Sequence, residues 1–365
     1  MRILFLIDNL GSGGAQRQVK TLSTLMARNS HDVTILTYSP EDFFSKDLEA
    51  LGIPIIRCYS SNYIRRILLI YKEIHKGHYD TVISFLDTPN FINNLSTLIS
   101  RRNWKVVTSE RSNKESFLIS KKGRIFGWFQ RYSDAIVCNS YNATNMWVKY
   151  YPKYRNKLKI IYNAVEVEPT YNAYTPKQHE KLHIVVAASY QRLKNPIKLI
   201  QAVSLLSPSE QQRLRIDWYG ETYVGIAEKD YIYKEACSLI EHNNLEEVVH
   251  LHKPTKDIHN KMSQADFVAL FSQLEGLPNA ICEGMMLGKP IIMSRVSDYN
   301  ILVDRNNGLL CEWDDELSIK NAIEIAINLS KREIMIMGKN SLKKAEMLFS
   351  PNVIIKKWEE LIESL

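Results

Sequence analysis

Ile3-Leu-Phe-Leu-Ile7 is a short, continuous apolar run, and it leads into the glycine turn Gly11-Ser-Gly-Gly14. After the turn, Val19, Leu22 and Met26 place apolar side chains at helical spacing. A buried strand, a glycine turn and an amphipathic helix in this order are typical of the first unit of a parallel, doubly wound sheet.

The same alternation continues through the chain and restarts once. Apolar runs follow at 33–37, 81–85, 105–108 and 135–138, and a second series occupies 183–188, 216–219, 248–251, 267–271 and 290–293. Helical patterns lie between most of them, and buried strands that alternate with helices indicate an α/β fold. The sequence therefore predicts two Rossmann-like, doubly wound domains facing a cleft, with ligands at the carboxyl ends of the strands.

The length of 365 residues suits two domains, since a typical domain has roughly 100–200 residues. We expect an N-terminal domain over 1–165 and a C-terminal domain over 183–345, joined by a polar linker at 166–182 that contains two prolines. The end of the chain, 346–365, is predicted to form a helix that packs back toward the N-terminal domain.

The positive charge is unevenly spread. Residues 1–165 hold 24 Lys and Arg against 12 Asp and Glu, whereas residues 166–365 carry a net charge of −5. Nucleic acid, an anionic membrane leaflet and plain solvation of a basic surface all fit this asymmetry, but no nucleic-acid-binding motif is recognisable, so we expect no nucleic-acid partner. Basic and aromatic residues mix most closely at Arg101, Arg102, Lys105, Lys114 and 121–131. Such a mixture suits docking on the inner leaflet of a membrane, although aromatic side chains also fill protein cores.

Cysteine usage and hydropathy bear on the compartment. The five cysteines form no Cys-x-x-Cys pair, which argues against a disulfide framework and against a zinc site. The apolar start of the chain lacks the pattern of a signal peptide, and no run approaches the roughly 18 apolar residues that span a bilayer. We expect a cytoplasmic protein, attached at most to the cytoplasmic face of a membrane.

The glycine turn is a candidate phosphate contact. Bare glycines at Gly13 and Gly14 let the backbone approach a phosphate at the start of a helix. A dinucleotide fingerprint would need glycine where Gln16 stands and an acid where Tyr38 stands, so the sequence disfavours a nicotinamide enzyme. A purely structural turn is the alternative.

The segment 275–290 carries the strongest signal. Glu275 follows the run 267–271, and Gly276-Leu-Pro278 is turn chemistry. Residues 279–287 then form a predicted helix with Asn279 as N-cap and Gly288 just after its end. The N-terminus of this helix is suited to a diphosphate. The alternative interpretation is that Glu275 and Glu283, eight residues apart, are ordinary charged residues on the surface.

This segment, Glu275-Gly-Leu-Pro-Asn279 through Glu283-Gly-Met-Met-Leu-Gly-Lys-Pro290, resembles the signature of glycosyltransferase family 4, a set of retaining enzymes with the GT-B fold. Four other blocks resemble family motifs in the same order. They lie at 13–17, 133–140, 159–166 and 306–310.

The resemblance implies roles for these residues. Glu275 would lie by the reacting carbon of the donor sugar, and Glu283 would bind the ribose hydroxyls. Gly13 and Gly14 would approach the diphosphate from the other domain. The remaining donor contacts would come from Gly276, Leu277, Pro278, Asn279, Ala280 and Ile281.

The chain also departs from the family pattern. Lys194 matches a family lysine that binds the diphosphate, but Ser189 occupies the place of its partner arginine, and Arg192 is the nearest substitute. Arg111 stands where the family often has a histidine, so we expect it near the acceptor or a donor phosphate. A structural salt bridge is the alternative for Arg111.

The resemblance implies transfer of a hexosyl or N-acetylhexosaminyl group from a nucleotide sugar, with UDP favoured, to a glycan or polyprenyl-diphosphate-linked glycan. The product would belong to a surface polysaccharide, such as lipopolysaccharide or capsule, or to another glycoconjugate. The sequence contains no Asp-x-Asp, so we expect Lys194, Arg192 and the helix at 279–287 to stabilise the leaving group without a metal or other cofactor. The alternatives are a nucleotide-sugar epimerase of the same fold and a non-catalytic binding protein with a basic, membrane-facing surface.

Overall fold

A computed structural model describes residues 1–98, 102–111, 115–167, 181–222 and 230–365. The chain divides into two compact units. Unit 1 comprises Met1–Ala164 together with Pro351–Leu365, and unit 2 comprises Val165–Ser350. The end of the chain therefore belongs to the same unit as its beginning.

Unit 1 is built on a parallel sheet. Its described strands are β1 (Arg2–Leu6), β2 (Asp32–Thr37), β3 (Ile55–Arg57), β4 (Thr81–Phe85), β5 (Lys105–Glu110), β6 (Ala135–Cys138) and β7 (Leu158–Ile160). They pair in the order β3-β2-β1-β4-β5-β6-β7. The helices between them are α1 (Gly14–Arg28), α2 (Ser45–Ala50), α3 (Tyr63–Lys76), α4 (Asp87–Ser96), α5 (Glu115–Ile119), α6 (Lys121–Phe129) and α7 (Tyr141–Tyr150). The central strand β1 is buried from Ile3 to Leu6, as a sheet covered on both faces requires.

Unit 2 repeats this plan. Its described strands are β8 (Leu182–Ala187), β9 (Leu214–Tyr219), β10 (Val249–His252), β11 (Phe267–Leu270), β12 (Ile291–Ser294) and β13 (Gly308–Cys311). They pair in parallel in the order β10-β9-β8-β11-β12-β13. The helices are α8 (Pro196–Ser204), α9 (Pro208–Gln212), α10 (Tyr231–His242), α11 (Ile258–Gln264), α12 (Asn279–Met286), α13 (Tyr299–Leu302), α14 (Glu316–Asn328) and α15 (Lys331–Phe349). The predicted α/β fold of two Rossmann-like, doubly wound domains is confirmed.

The last helix, α16 (Pro351–Ser364), packs on unit 1. Its buried face includes Trp358, and Glu359 on the same helix accepts hydrogen bonds from Asn29 Nδ2 at 3.1 Å and lies 3.0 Å from His31 Nε2. The helix starts at Pro351, later than the predicted 346, because the residues up to Phe349 continue α15. Within the described ranges, no helix is both long enough and apolar enough to cross a bilayer.

Candidate active site

Two side chains of unit 2 hold the carboxylate of Glu275. Lys194 Nζ donates to Glu275 Oε1 at 2.5 Å, and Ser272 Oγ donates to the same oxygen at 2.7 Å. The ion pair is largely buried, since 21% of the Lys194 side chain and 11% of the Glu275 side chain are exposed. Charge-assisted hydrogen bonds of this kind fix the direction in which a carboxylate presents its other lone pairs.

The loops after β8 and β11 bring this pair together. Lys194 ends a 3-10 turn after β8, and Glu275 lies in the loop after β11. The two strands are parallel neighbours, so their carboxyl ends lie at the same edge of the sheet. Asn195 Nδ2 donates to Phe271 O at 3.2 Å and ties one loop to the other. Asn195 itself has φ 68° and ψ 41°, a left-handed conformation that asparagine adopts more readily than most residues.

The helix α12 begins at the end of the Glu275 loop. Pro278 is its N-cap and Asn279 its first residue, so the prediction that Asn279 caps the helix is wrong by one position. The amides of Ile281 and Cys282 both donate to Pro278 O, at 3.0 and 3.1 Å. The amide of Ile281 thus has a partner within its own helix. Gly288 follows the C-cap with φ 68°, which confirms its predicted place after the helix.

The residues at the start of α12 and just before it differ in burial. Leu277, Pro278 and Ile281 are buried and anchor it, whereas Gly276, Asn279 and Ala280 are partly exposed. A Cβ added to Gly284 would lie 2.8 Å from Cβ of Val268 on β11. Glycine at position 284 therefore lets α12 pack directly against the central part of the sheet.

Glu283 on α12 faces a histidine that the sequence reasoning missed. Nε2 of His259, on α11, lies 3.3 Å from Glu283 Oε2. The two residues are 24 positions apart in the sequence, and no motif connects them. Only the packing of α11 beside α12 brings them together.

The other basic residue predicted for unit 2, Arg192, differs from Lys194 in its exposure. Arg192 begins the short turn that ends at Lys194, and its side chain is exposed. Ser189, at the position of the family arginine, is partly buried in the segment that follows β8. Of the two predicted cations, the structure therefore brings Lys194 alone to Glu275.

Arg111 lies at the carboxyl end of β5 in unit 1. Its Nη1 donates to Asn163 Oδ1 at 2.6 Å, and its guanidinium carbon lies 4.6 Å from the centre of the Phe85 ring. The guanidinium therefore contacts an amide oxygen and the face of an aromatic ring. Burial lowers the pKa of Arg111 to about 9, against the opposing influence of Cys138 and Glu110. The guanidinium therefore stays charged at neutral pH.

The residue after Phe85 is strained. Leu86 caps α4 with φ 76° and ψ 165°, a backbone conformation that glycine normally occupies. Strain of this kind costs about 1–3 kcal/mol and clusters at functional sites. It turns the chain sharply at the carboxyl end of β4, beside the strand end that carries Arg111.

The glycine turn of unit 1 leads into α1. Gly13 is the N-cap and Gly14 the first helical residue, and both are exposed. A Cβ added to Gly13 would lie 2.3 Å from Gln16 Oε1, so the Gln16 side chain packs against the turn. Gln16 Nε2 in turn donates to Asp8 Oδ1 and to Asn9 Oδ1, each at 3.2 Å. Burial raises the pKa of the Asp8 carboxyl. The sequence reasoning missed this bracing by Asp8 and Asn9.

The aromatic residues of 121–131 serve two purposes. Phe126 stacks on Phe91, with ring centres 4.5 Å apart, and so contributes to the packing of unit 1. Trp128 is exposed, and the guanidinium of Arg131 lies 3.9 Å from its ring centre. The core interpretation therefore holds for Phe126 and fails for Trp128.

Two of the predicted basic residues are engaged within unit 1. Arg102 makes a bidentate ion pair with Asp134, at 2.7 and 2.8 Å, and Lys105 donates to the carbonyl of the last residue of the chain. Arg101 and Lys114 lie outside the described residues.

Acidic residues outside the Glu275 loop have structural roles. Asp315 caps α14 by accepting a hydrogen bond from the Leu317 amide at 2.9 Å, and Glu312 pairs with Arg295 at 2.8 Å. In the part of the chain that the structure describes, no group of three or more His, Cys, Asp or Glu side chains is arranged to hold a metal ion.

Two family models match the sequence. The model described as Glycosyltransferase Family 4 matches residues 12–169, and the model described as Glycosyl transferases group 1 matches residues 168–343. Together they run from the glycine turn to α15.

Two curated relatives come from Campylobacter jejuni. One is GalNAc-alpha-(1->4)-GalNAc-alpha-(1->3)-diNAcBac-PP-undecaprenol alpha-1,4-N-acetyl-D-galactosaminyltransferase, 24% identical over 99% of this chain and 98% of its own. The other is N-acetylgalactosamine-N,N'-diacetylbacillosaminyl-diphospho-undecaprenol 4-alpha-N-acetylgalactosaminyltransferase, 25% identical over 89% and 90%. Among solved structures, Anabaena HepE in complex with UDP superposes with a TM-score of 0.85 at 18% identity, over the whole of both chains.

Proposed function

The chain belongs to glycosyltransferase family 4 and is a glycosyltransferase, and on this premise we propose that it transfers a hexosyl or N-acetylhexosaminyl group from a UDP-sugar to a polyprenyl-diphosphate-linked glycan. The names of the two Campylobacter relatives support this acceptor class and an N-acetylhexosaminyl group. The UDP bound to the similar HepE structure supports the nucleotide. The product would be a surface polysaccharide or another glycoconjugate.

The observation that carries the proposal is the buried pair of Lys194 and Glu275 ahead of α12. A lysine ammonium has three donors, so Lys194 keeps its bond to Glu275 while it also donates to a diphosphate. The positive end of the α12 dipole adds to the same field. A cation for the leaving group and an anion for the reacting carbon thus stand side by side.

The reaction replaces the bond between the anomeric carbon and the diphosphate by a bond between that carbon and the acceptor oxygen. The bond between the anomeric carbon and the diphosphate oxygen breaks, and its electron pair stays with UDP. The acceptor hydroxyl oxygen bonds to the same carbon from the same face, and its proton passes to the departing phosphate oxygen, which retains the configuration. The Glu275 carboxylate stabilises the positive charge that develops on the carbon. Preorganised donors such as Lys194 are worth about 3–4 kcal/mol each at a developing negative charge.

The nucleotide is held through its ribose and its phosphates. Glu283 accepts hydrogen bonds from the ribose hydroxyls, because a carboxylate with an exposed edge suits a vicinal diol. In unit 1, Gly13 and Gly14 expose the backbone at the start of α1, and Arg111 offers a guanidinium that is charged at neutral pH. We assign these three residues to phosphate binding, and we expect the transfer to need no metal ion.

A membrane surface would supply the lipid-linked acceptor. The outer face of α6 exposes Ile125 and Trp128, by 55% and 41%, next to the exposed cations Lys121, Lys122 and Arg124. Apolar side chains within a basic rim suit an anionic leaflet. The chain should therefore float with anionic liposomes at low salt and be released at high salt. Absence of salt-sensitive flotation would remove the membrane part of the proposal.

A panel of donors tests the enzymatic proposal. The chain is incubated with UDP- and GDP-linked sugars, with and without a polyprenyl-diphosphate-linked glycan, and released nucleoside diphosphate is measured. We expect UDP release that depends on the lipid-linked acceptor, together with a product of higher mass whose new linkage retains the donor configuration. Release from no nucleotide sugar in the presence of acceptor would overturn the proposal, and conversion of one free nucleotide sugar into another would point to an epimerase.

A further inference from the structure

His259 lies outside the signature segment 275–290, yet it faces Glu283 of that segment. His259 Nε2 lies 3.3 Å from Glu283 Oε2, and the two side chains are 24% and 14% exposed. Both are therefore mostly enclosed but keep an open edge. A small molecule at that edge would meet the carboxylate and the imidazole together.

The fold holds His259 firmly in this position. It is the second residue of α11, and Met262 anchors that helix in the core with no exposed surface. The fully buried Lys289 donates to Ser263 O at 2.6 Å and to Ala265 O at 3.0 Å, and so fixes the end of α11 to the segment that follows α12. Because α12 carries Glu283, the spacing between imidazole and carboxylate is set by buried contacts.

The chemistry of the pair suits a vicinal diol. An ionised carboxylate only accepts hydrogen bonds, and two neighbouring hydroxyls fill its free lone pairs. An imidazole beside one oxygen limits rotation of the carboxylate, and because its Nε2 is buried it acts on a bound hydroxyl through Glu283. A nucleotide that lacks one hydroxyl leaves part of this polar arrangement unfilled, which costs affinity.

We propose that His259 is a positioning residue that orients Glu283 toward the ribose and thereby sets the preference of the site for ribo- over 2′-deoxyribonucleoside diphosphates. This inference rests on the proposed UDP-sugar donor. It assigns His259 a part in binding, so its loss should raise the KM for the donor and leave kcat nearly unchanged, as expected when ground state and transition state lose the same interaction.

Calorimetric titration of UDP and 2′-deoxy-UDP tests the inference. The wild type, His259→Ala, His259→Gln and the control His242→Ala are compared, because His242 is an exposed histidine at the end of α10 in the same unit. We expect His259→Ala to bind UDP about tenfold more weakly and 2′-deoxy-UDP almost unchanged, so that the preference shrinks. Glutamine should restore part of it, since its amide nitrogen reaches a place similar to Nε2, and the control should behave as the wild type.

The outcomes separate the inference from the proposal beneath it. If the wild type binds neither nucleotide, the proposed donor is wrong. If the wild type prefers UDP and His259→Ala keeps the same preference, the donor stands and the role of His259 is overturned. An equal loss of affinity for both nucleotides, or no rescue by glutamine, also overturns it. If alanine prevents folding, as judged by the melting curve, His259→Leu takes its place, because leucine fills a similar volume without a nitrogen, and an unchanged preference in that variant overturns the role of His259.

Discussion

Lys194 Nζ lies 2.5 Å from Glu275 Oε1, and this ion pair joins the turn after β8 to the loop after β11. Both side chains are largely buried, so either charge without the other would carry a desolvation cost of several kcal/mol. Ser272 donates to the same oxygen and completes the arrangement. A donor diphosphate would therefore meet a lysine whose direction is set by its ion pair with Glu275.

Removal of the lysine should reduce transfer strongly. Lys194→Ala deletes the charge that we propose for the leaving diphosphate, and we expect kcat to fall by roughly 100- to 1000-fold, the range seen when one such donor is lost. Steady-state transfer from the UDP-sugar to the lipid-linked acceptor measures this.

Lys198 provides the matched control for Lys194. It lies one turn further along, on α8, where it pairs with Glu316. Lys198→Ala should keep kcat within about threefold of the wild type, as expected for a half-exposed ion pair. Equal activity of both variants would contradict the role given to Lys194.

Replacement of the glutamate should separate chemistry from binding. Glu275→Gln keeps the shape of the side chain and a hydrogen-bond acceptor for Lys194 but removes the negative charge. Because that charge is needed when the anomeric carbon becomes positive, we expect kcat to fall at least about 100-fold, while the Kd for UDP changes by less than about threefold. Rapid-quench kinetics and UDP titration give the two values, and unchanged turnover would exclude Glu275 from the reaction.

Transfer should continue when divalent ions are removed. In the proposed mechanism, Lys194 and the N-terminal end of α12 supply the positive charge that a metal would otherwise bring to the departing diphosphate. We expect the initial rate in excess chelator to match the rate in added magnesium or manganese. A rate that collapses in chelator and returns with manganese would show that these groups are insufficient.

The fold was predictable where strands are central and buried. The continuous apolar runs marked such strands, including β1 and β8, and their ends agree with the structure to within two residues. The runs missed β3, β7 and β13, all of which are three or four residues long and lie at sheet edges. An edge strand is partly exposed and needs no continuous apolar pattern, so hydrophobic periodicity reveals some edge strands, such as β10, and misses others.

The site was predictable where its residues are neighbours in sequence. Glu275, the turn and α12 form one continuous motif, and that motif gave a position and a chemistry. His259 stands beside Glu283 only after α11 and α12 pack. Ser272 lies only three residues before Glu275, but it belongs to no motif. Serine and histidine are both too common in sequences to mark such a place. Arg192 was suggested as a phosphate ligand by its proximity to Lys194 in the sequence; its side chain is exposed, and its part in phosphate binding stays a prediction.

A buried carboxylate in unit 2 should make stability depend on pH. Asp217 on β9 accepts from Arg215 Nε at 2.9 Å, and its oxygens lie 2.6 Å from His183 Nε2 and 2.7 Å from His252 Nε2. Burial raises the pKa of Asp217, but these hydrogen bonds outweigh it and hold the pKa well below its usual value. A lowered folded pKa stabilises the fold above the unfolded value of about 4 and loses that stabilisation as the pH falls further.

Asp217→Asn should therefore lower the free energy of unfolding at pH 7 by about 3 kcal/mol, as expected when one member of a buried charged network is neutralised. The difference from the wild type should narrow between pH 5 and pH 3. Urea unfolding at several pH values measures both. Asp32→Asn is the control, because Asp32 pairs with Arg2 at the surface, where an ion pair contributes about 0–1 kcal/mol. A difference for Asp217→Asn that stays constant down to pH 3 would contradict the assignment.

The lysine of the signature segment should be structural rather than catalytic. Lys289 is fully buried, and its ammonium donates to the carbonyls of Ser263 and Ala265 at the end of α11. Lys289→Met fills a similar volume but leaves two buried carbonyls with fewer hydrogen-bond partners. We expect the free energy of unfolding to fall by about 2–3 kcal/mol. This is less than the cost of two unsatisfied carbonyls, because the substitution also removes a buried charge. Urea unfolding with an unchanged m-value would register the loss, and Lys343→Met, at an exposed position on α15, should unfold as the wild type does. If Lys289→Met instead kept its stability and lost transfer activity, the buried ammonium would be acting on the reaction, since a defect without destabilisation cannot come from the packing of α11.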